Sequence, residues 1–325
     1  MFLEHINLNM PLEKSAQVQE FFINTLGLCE DIRPKEMNKD HRLLWADCGL
    51  QQFHLPLIPQ GSIDIAPQRL RGEVTLLYRS RKALDKVLYR VGKNNACRIL
   101  EDKESIDEEN EARISCPFGG IYKLKVTKGL KNFIGGDDNS PSHPIHSHTS
   151  LLVEDQVIGI ESIKLFAPST SLESIASFWK DVMHSTITRG RMSSTTTILS
   201  VLVHLNDSQY LEFVTRNDEE NNNVYEYDGH HLCLYLSNYE ETYKACEKLG
   251  ILYDPGRFAD RGGSWELAQE HKQFRILHWP KKDSLGYKRL GLLQSLRIDI
   301  DELPSYTLEL ELRSLDHPAY PCSRH

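Results

Sequence analysis

The 325-residue chain has no apolar run approaching the 18 to 20 residues, roughly, that a membrane-spanning helix takes, so no stretch reads as a membrane span. It also lacks a basic surplus. Its 38 Lys and Arg stand against 46 Asp and Glu, a net charge of -8, and no basic stripe is laid out for a nucleic-acid backbone. The opening MFLEHINLNM enters a strand pattern at once, without the basic segment and apolar stretch of a secretory leader, while a transit peptide already removed would be compatible with it. The seven cysteines are odd in number and show no CxxC spacing. That argues against a disulfide framework or a structural zinc site and for free thiols in a reducing, cytoplasmic compartment. The chain is long enough for two ordinary cores.

What the chain does have is repetition. LEHINLNMPLEKSAQVQEFFINTLGL (Leu3 to Leu28) reads as a strand, a turn at Pro11 and an amphipathic helix carrying Val18, Phe21, Phe22 and Leu26, with Gly27 at its C-cap. GIESIKLFAPSTSLESIASFWKDVMH (Gly159 to His184) has the same layout. His5 to Ser162 is 157 positions, and Phe21-Phe22 to Phe178-Trp179 is also 157. A shorter period lies within each half: His5 to Glu73 is 68 positions and Ser162 to His231 is 69. After each helix come short alternating runs, and CGLQQ, PFGGIY and LNDSQY read as hairpin turns between strands. Four strand–helix–strand–strand–strand units are expected, in two pairs spanning 1–130 and 158–282. A Gly/Ser/Pro/His-rich linker at 131–157 separates them, and an extension at 283–325 contains a strand near Tyr306 to Leu312. That tail reads as one returning to cover a sheet edge.

Units of this kind, with histidine or glutamate on the first and last strand, resemble the vicinal oxygen chelate superfamily of glyoxalase I, extradiol dioxygenases and bleomycin-resistance proteins. LEHINL, GLQQFHL, CPFGGIYKL, QYLEF and HHLCLYL carry the resemblance. It implies an α+β fold: four βαβββ modules paired into two half-open, cup-shaped mixed sheets with helices outside. Ligands project from first and fourth strands into each cup. By position they fall on His5, His54, Glu73 and Lys123 in the N-terminal cup, and on Ser162, Glu212, His231 and Arg275 in the C-terminal one. Alternation agrees with this: His54 shares a face with Gln52 opposite Phe53 and Leu55, and Glu212 shares one with Tyr210 opposite Leu211 and Phe213.

The resemblance makes His5, His54 and Glu73 a candidate metal set, two imidazoles and a carboxylate that suit Fe, Mn, Zn or Ni in the divalent state. Lys123 departs from it, standing where the family often has glutamate, so it is assigned to substrate; a one-residue register shift would turn Glu73 out of the cup. Arg275 cannot ligate a metal. With Ser162, Tyr210, Glu212 and His231 it forms instead a substrate-binding set, its guanidinium offering bidentate contact to a carboxylate or enolate. An internal Arg275–Glu212 ion pair is the alternative. Glu73 and Glu212 are the candidate general bases.

The implied activity is that of a metal-dependent enzyme on a small oxygenated substrate, by enolate or alkoxide stabilisation (lyase or isomerase-like) or extradiol-like oxygen chemistry. A non-catalytic sequestering protein of the same fold is the alternative. The cups can close within one chain or across a homodimer, as in some relatives, and the sequence leaves both open. His143, His146 and His148 read as a solvated linker, the runs from Glu101 and from Asn217 as exposed loops, RGGSW as a loop, and Cys48 and Cys116 as ordinary thiols.

Overall fold

The structure, a computed structural model, describes residues 1–31, 42–100, 110–127, 155–191, 198–215, 227–254, 264–283, 286–287 and 306–320. The HPIHSH segment, nearly all of the proposed linker, the acidic run from Glu101 to residue 109, the stretch from Asn217 and the RGG of RGGSW lie outside the described residues.

Two mixed sheets of eight strands, open rather than closed, carry four copies of one module. The first comprises β1 (Phe2–Asn7), a short β2 (Met10–Pro11), α1 (Ser15–Gln19) widening into a π-helical stretch (Glu20–Thr25), β3 (Cys29–Glu30), β4 (Leu43–Cys48) and β5 (Gln51–Ile58). The second has β6 (Gly72–Tyr78), α2 (Arg81–Lys93), β7 (Arg98–Leu100), β8 (Glu111–Ser115) and β9 (Ile121–Val126). The third has β10 (Val157–Phe166), α3 (Leu172–Asp181), β11 (Thr186–Arg191), β12 (Ile198–His204) and β13 (Tyr210–Val214). The fourth has β14 (His231–Leu236), α4 (Tyr239–Leu249), α5 (Trp265–His271), β15 (Gln273–Trp279), a short pair β16 (Lys282–Asp283) and β17 (Gly286–Tyr287), and β18 (Tyr306–Ser314).

Local chemistry accounts for these elements. Helix α2 starts where the Ser80 hydroxyl accepts from the Ala83 N–H, and it buries Ala83, Leu84, Val87 and Val91 on one stripe. Helix α4 stops at Gly250, whose φ of 68° a side chain would resist. Because a helix intervenes, the last strand of a module can return parallel to its first. His5 lies opposite Gln52 in β1 and β5, Glu73 opposite Ile121 in β6 and β9, and His231 opposite Glu309 in β14 and β18.

The chain divides into two compact units. The N-terminal unit is Glu4–Ile163 with Asp228–His230; the C-terminal unit is Met1–Leu3, Lys164–Tyr227 and His231–Arg324. In the N-terminal unit strands run β1-β5-β4-β3 in one sheet and β6-β9-β8-β7 in the other. Phe21, Phe22, Phe53 and Tyr122 pack there with ring centroids 5.1 to 6.2 Å apart. In the C-terminal unit the orders are β14-β18-β15 and β13-β12-β11. Its core gathers Phe178, Trp179, Phe213, Trp279 and Tyr306. Each fully buried ring among these contributes on the order of 2 to 3 kcal/mol.

The fourth module departs from the sequence reading. Strand β18, expected in an appended tail covering an edge, inserts between β14 and β15, parallel to the first and antiparallel to the second. It is the module's true last strand, and β15 is its third. Leu252 makes an isolated bridge to Ile276, a remnant of the second strand. A long insertion after β15 delays the last strand: Glu311 follows His231 by 80 positions, whereas His54 follows His5 by 49. That insertion hid the period.

Candidate functional site

In the N-terminal unit the parallel pairing of β1 and β5 brings His5 and His54 together. Their rings stack at 3.8 Å and 19°, and Trp45 stacks on the other face of His54 at 4.4 Å and 11°. His5 is 1% exposed, with its Nδ1 3.1 Å from Glu4 Oε2. His54 Nε2 lies 3.0 Å from Gln52 Oε1, and the Gln52 amide donates in turn to Asp31 and Asp47. The sequence placed His5, His54 and Glu73 in one set, but the structure brings only the two histidines together. Glu73 sits on β6, in the other sheet, and takes the Arg113 Nε–H at 2.5 Å. No grouping of three ligand-type side chains among the described residues joins Glu73 to either histidine. Lys123, on β9, faces Glu111 at 2.5 Å.

The residues expected to bind substrate are likewise dispersed. Ser162 donates its hydroxyl to Thr75 Oγ1 at 2.8 Å. Glu212 lies 3.8 Å from Lys164 Nζ, and Tyr210 shares its strand, β13, opposite His204. The anticipated Arg275–Glu212 pair is absent. Arg275, 3% exposed, gives Nη1 to Glu309 and Nη2 to Glu311. Burial works against its charge, but Glu311 and then Glu309 outweigh that and hold the guanidinium above its ordinary value. Arg275 is therefore a partner of carboxylates on its own sheet, not a clamp awaiting substrate.

Those carboxylates are what the sequence reading missed. His231 Nε2 lies 3.6 Å from Glu311 Oε2, and its Nδ1 lies 3.9 Å from Glu309 Oε1. Arg313 donates Nε to Glu311 Oε1 at 2.8 Å, and Tyr227 OH donates to Glu309 Oε2 at 3.1 Å. The signal was present in YTLELELRS: Leu308, Leu310 and Leu312 are fully buried, while Glu309, Glu311 and Arg313 share the alternate face. His231/Glu309/Glu311 also repeats the positions of His5/Gln52/His54. In both modules a first-strand histidine faces one fourth-strand residue across the ladder, with a second two positions on.

Within the C-terminal unit His231 and Glu311 offer an imidazole nitrogen and a carboxylate oxygen within 4.8 Å of each other. Two donors each about 2.1 Å from one divalent ion stand roughly 3 to 4 Å apart. The 3.6 Å between His231 Nε2 and Glu311 Oε2 meets that condition, and an imidazole with a carboxylate suits Fe, Mn, Zn or Ni.

No family model matches the chain, and no curated protein matches it by sequence. Solved structures do. A Bacillus subtilis protein with a provisional description as a dioxygenase superposes over 96% of this chain and 85% of its own, at 10% identity and a TM-score of 0.50. The fold is that of the vicinal oxygen chelate superfamily. Glyoxalase I from Zea mays aligns over 96% of this chain and 92% of its own, at 10% identity and a TM-score of 0.49. A glyoxalase/dioxygenase from Nostoc punctiforme aligns over 39% of this chain and 92% of its own, at 13% identity and a TM-score of 0.30. His231 and Glu311 lie on the first and last strands of the fourth module. No helix among the described residues is long and apolar enough to cross a membrane.

Proposed function

We propose that this protein is a divalent-metal-dependent enzyme of the vicinal oxygen chelate type, acting on a small oxygenated substrate. The observation that carries the reading is the approach of His231 Nε2 to Glu311 Oε2 on adjacent parallel strands, in a buried carboxylate–guanidinium network. His231 and Glu311 would hold the metal, with further coordination positions open. A bound divalent metal would polarise vicinal substrate oxygens and stabilise enolate or alkoxide charge, or with iron support oxygen chemistry.

The chain's own groups set up that role. Arg313 holds Glu311 Oε1, while Oε2, which also takes the Arg275 Nη2–H, faces His231. Glu309 faces the opposite ring nitrogen, where a carboxylate favours the tautomer that leaves Nε2 with its lone pair. Arg275 spans both carboxylates and fixes their spacing. Non-catalytic binding of a small molecule is the second reading, and one observation favours it. Arg275 and Arg313 already balance the charges of Glu309 and Glu311, which lessens the pull on a cation.

Metal analysis and calorimetric titration with Mn, Zn and Ni, and with Fe under anaerobic conditions, separate the two. The enzyme reading expects stoichiometric metal that Glu311→Ala and His231→Ala both remove. Metal-free protein that gains none on titration would sink it. The same titration on His5→Ala and His54→Ala reads whether the N-terminal histidines contribute.

A further inference from the structure

The N-terminal unit sets two of its cysteines face to face. Strands β7 and β8 pair antiparallel, with Arg98 opposite Ser115, Ile99 opposite Ile114 and Leu100 opposite Arg113. One step outward on the same ladder, the residue before Arg98 is Cys97 and the residue after Ser115 is Cys116. Residues directly opposite on an antiparallel ladder carry their side chains on the same face of the sheet. Both cysteines are buried, at 8% and 6% exposure.

The ladder position fits a disulfide. Cys97 gives its N–H to the Asn94 carbonyl and Cys116 gives its own to Gly120, each at 2.9 Å, so the two form a non-hydrogen-bonded pair. Such pairs stand about 4.5 Å apart at Cα, within the range of roughly 4.4 to 6.8 Å that a disulfide bridges. The sulfurs feel one another: burial first, then Cys116, pushes the Cys97 thiol up to about 11. Cys29 and Cys48 make the contrast. Cys29 lies opposite Asp47, which turns Cys48, next along β4, to the other face of the sheet.

Access makes Cys97 the first to react. It adjoins β7, three residues long and outermost in its sheet, and Asn95, Ala96 and Arg98 around it are exposed. A short edge strand opens locally at small cost, which uncovers Cys97. Cys116 stays under the β8–β9 turn, where its Sγ accepts from the Phe118 N–H at 3.3 Å and the Gly120 N–H at 3.1 Å. Burial raises its thiol, and those N–H groups, that of Gly119 and Arg69 offset part of the rise.

We propose that Cys97 and Cys116 are a redox modification site, a dithiol that hydrogen peroxide converts to a reversible cross-strand disulfide. The Cys97 thiolate attacks one peroxide oxygen, the O–O bond breaks, and the departing hydroxide takes up the proton the thiol released and leaves as water. Reclosing of β7 sets the resulting sulfenic acid against Cys116. The Cys116 sulfur displaces hydroxide from it, and that hydroxide leaves as a second water with the Cys116 proton. Each sulfur gives up one electron, and the peroxide takes both. Because both thiols are raised, thiolate is scarce at neutral pH and the bridge forms over minutes to hours. It ties the outermost strand to β8 until a thiol reductant reopens it.

The test is exposure of the folded full chain to hydrogen peroxide at neutral pH, followed by alkylation in denaturant and peptide mass spectrometry. The expected product is a Cys97–Cys116 linked peptide pair, about 2 Da lighter than the two peptides summed and reversed by dithiothreitol. It should be about tenfold or more as abundant as any other cysteine pairing. Cys116→Ser removes the bridge and leaves Cys97 as a sulfenic acid that dimedone traps, while Cys29→Ser leaves the bridge unchanged. Circular dichroism checks folding; should Cys116→Ser not fold, the parent's peptide map decides. The proposal is overturned if the linked pair is absent from the oxidised folded chain. It is also overturned if the pair is no more abundant, relative to other pairings, than in the urea-unfolded chain.

Discussion

Arg275 stands between two glutamates of the neighbouring strand and gives one guanidinium nitrogen to each, Nη1 to Glu309 and Nη2 to Glu311. The antiparallel register sets Arg275 directly opposite Glu311, and β18 presents Glu309 on the same face two residues away. Removing the cation would strip two buried carboxylates of the partner they share.

Arg275→Ala is therefore expected to cost about 3 to 5 kcal/mol of stability, measured by urea unfolding of the full chain. Arg275→Lys keeps the charge but not the fork and recovers only part of it. A loss below about 1 kcal/mol would mean that the network does not hold this sheet together.

The two glutamates differ in their expected effect on metal. Glu311→Gln, at the position facing Nε2 of His231, is expected to reduce metal affinity by more than a hundredfold. Glu309→Gln, facing Nδ1, reduces it about tenfold, as an outer-shell partner does. Equal losses in metal titrations of the two variants would contradict this division of roles.

Asp228 carries a pH dependence whose sign is fixed by its surroundings. Burial raises its carboxyl, but the His230 imidazole, 2.6 Å away, and the Arg69 N–H outweigh that and hold it below its ordinary value of 3.8. A depressed carboxyl stabilises the fold above its unfolded pKa and loses that contribution as pH falls through the folded one. Acid unfolding should accordingly show less stability loss below pH 4 in Asp228→Asn than in the parent, from a lower starting stability at neutral pH.

Thiol reactivity should follow burial. None of the six described cysteines is in a disulfide. Burial, with Cys116 and Glu20 nearby, pushes the Cys97 thiol up to about 11, and burial raises Cys48 and Cys246 as well. At neutral pH iodoacetamide should modify these three only after unfolding, and the half-buried Cys29 ahead of them, as followed by mass spectrometry.

The hairpin between β4 and β5 turns on Gly49. Its φ is 65°, and a Cβ there would collide with the Ile158 carbonyl oxygen. Gly49→Ala combines left-handed strain with that clash and is expected to destabilise by about 2 to 4 kcal/mol in thermal or urea unfolding.

Much of this was legible in the sequence because strand alternation and helix periodicity are local properties. The equivalent positions of His5 and Glu73, and of Ser162 and His231, follow from spacing alone, as do the CGLQQ turn and the helices carrying Phe21-Phe22 and Phe178-Trp179. The inward face of YTLELELRS was equally legible. Its place in the sheet was not, because an insertion of some thirty residues separates β18 from the strand it follows, and no local pattern says where a chain returns.

By itself, then, the sequence determined which residues share a face and which modules repeat, since both follow from periods of two and 3.6 residues. Tertiary structure decided the partners. It stacked His5 on His54 without Glu73, gave Arg275 to Glu309 and Glu311 rather than to Glu212, and set Glu311 beside His231. Partner choice depends on which strands become neighbours, and that is settled by the packing of whole modules, where one delayed strand reassigns every cross-strand contact it makes.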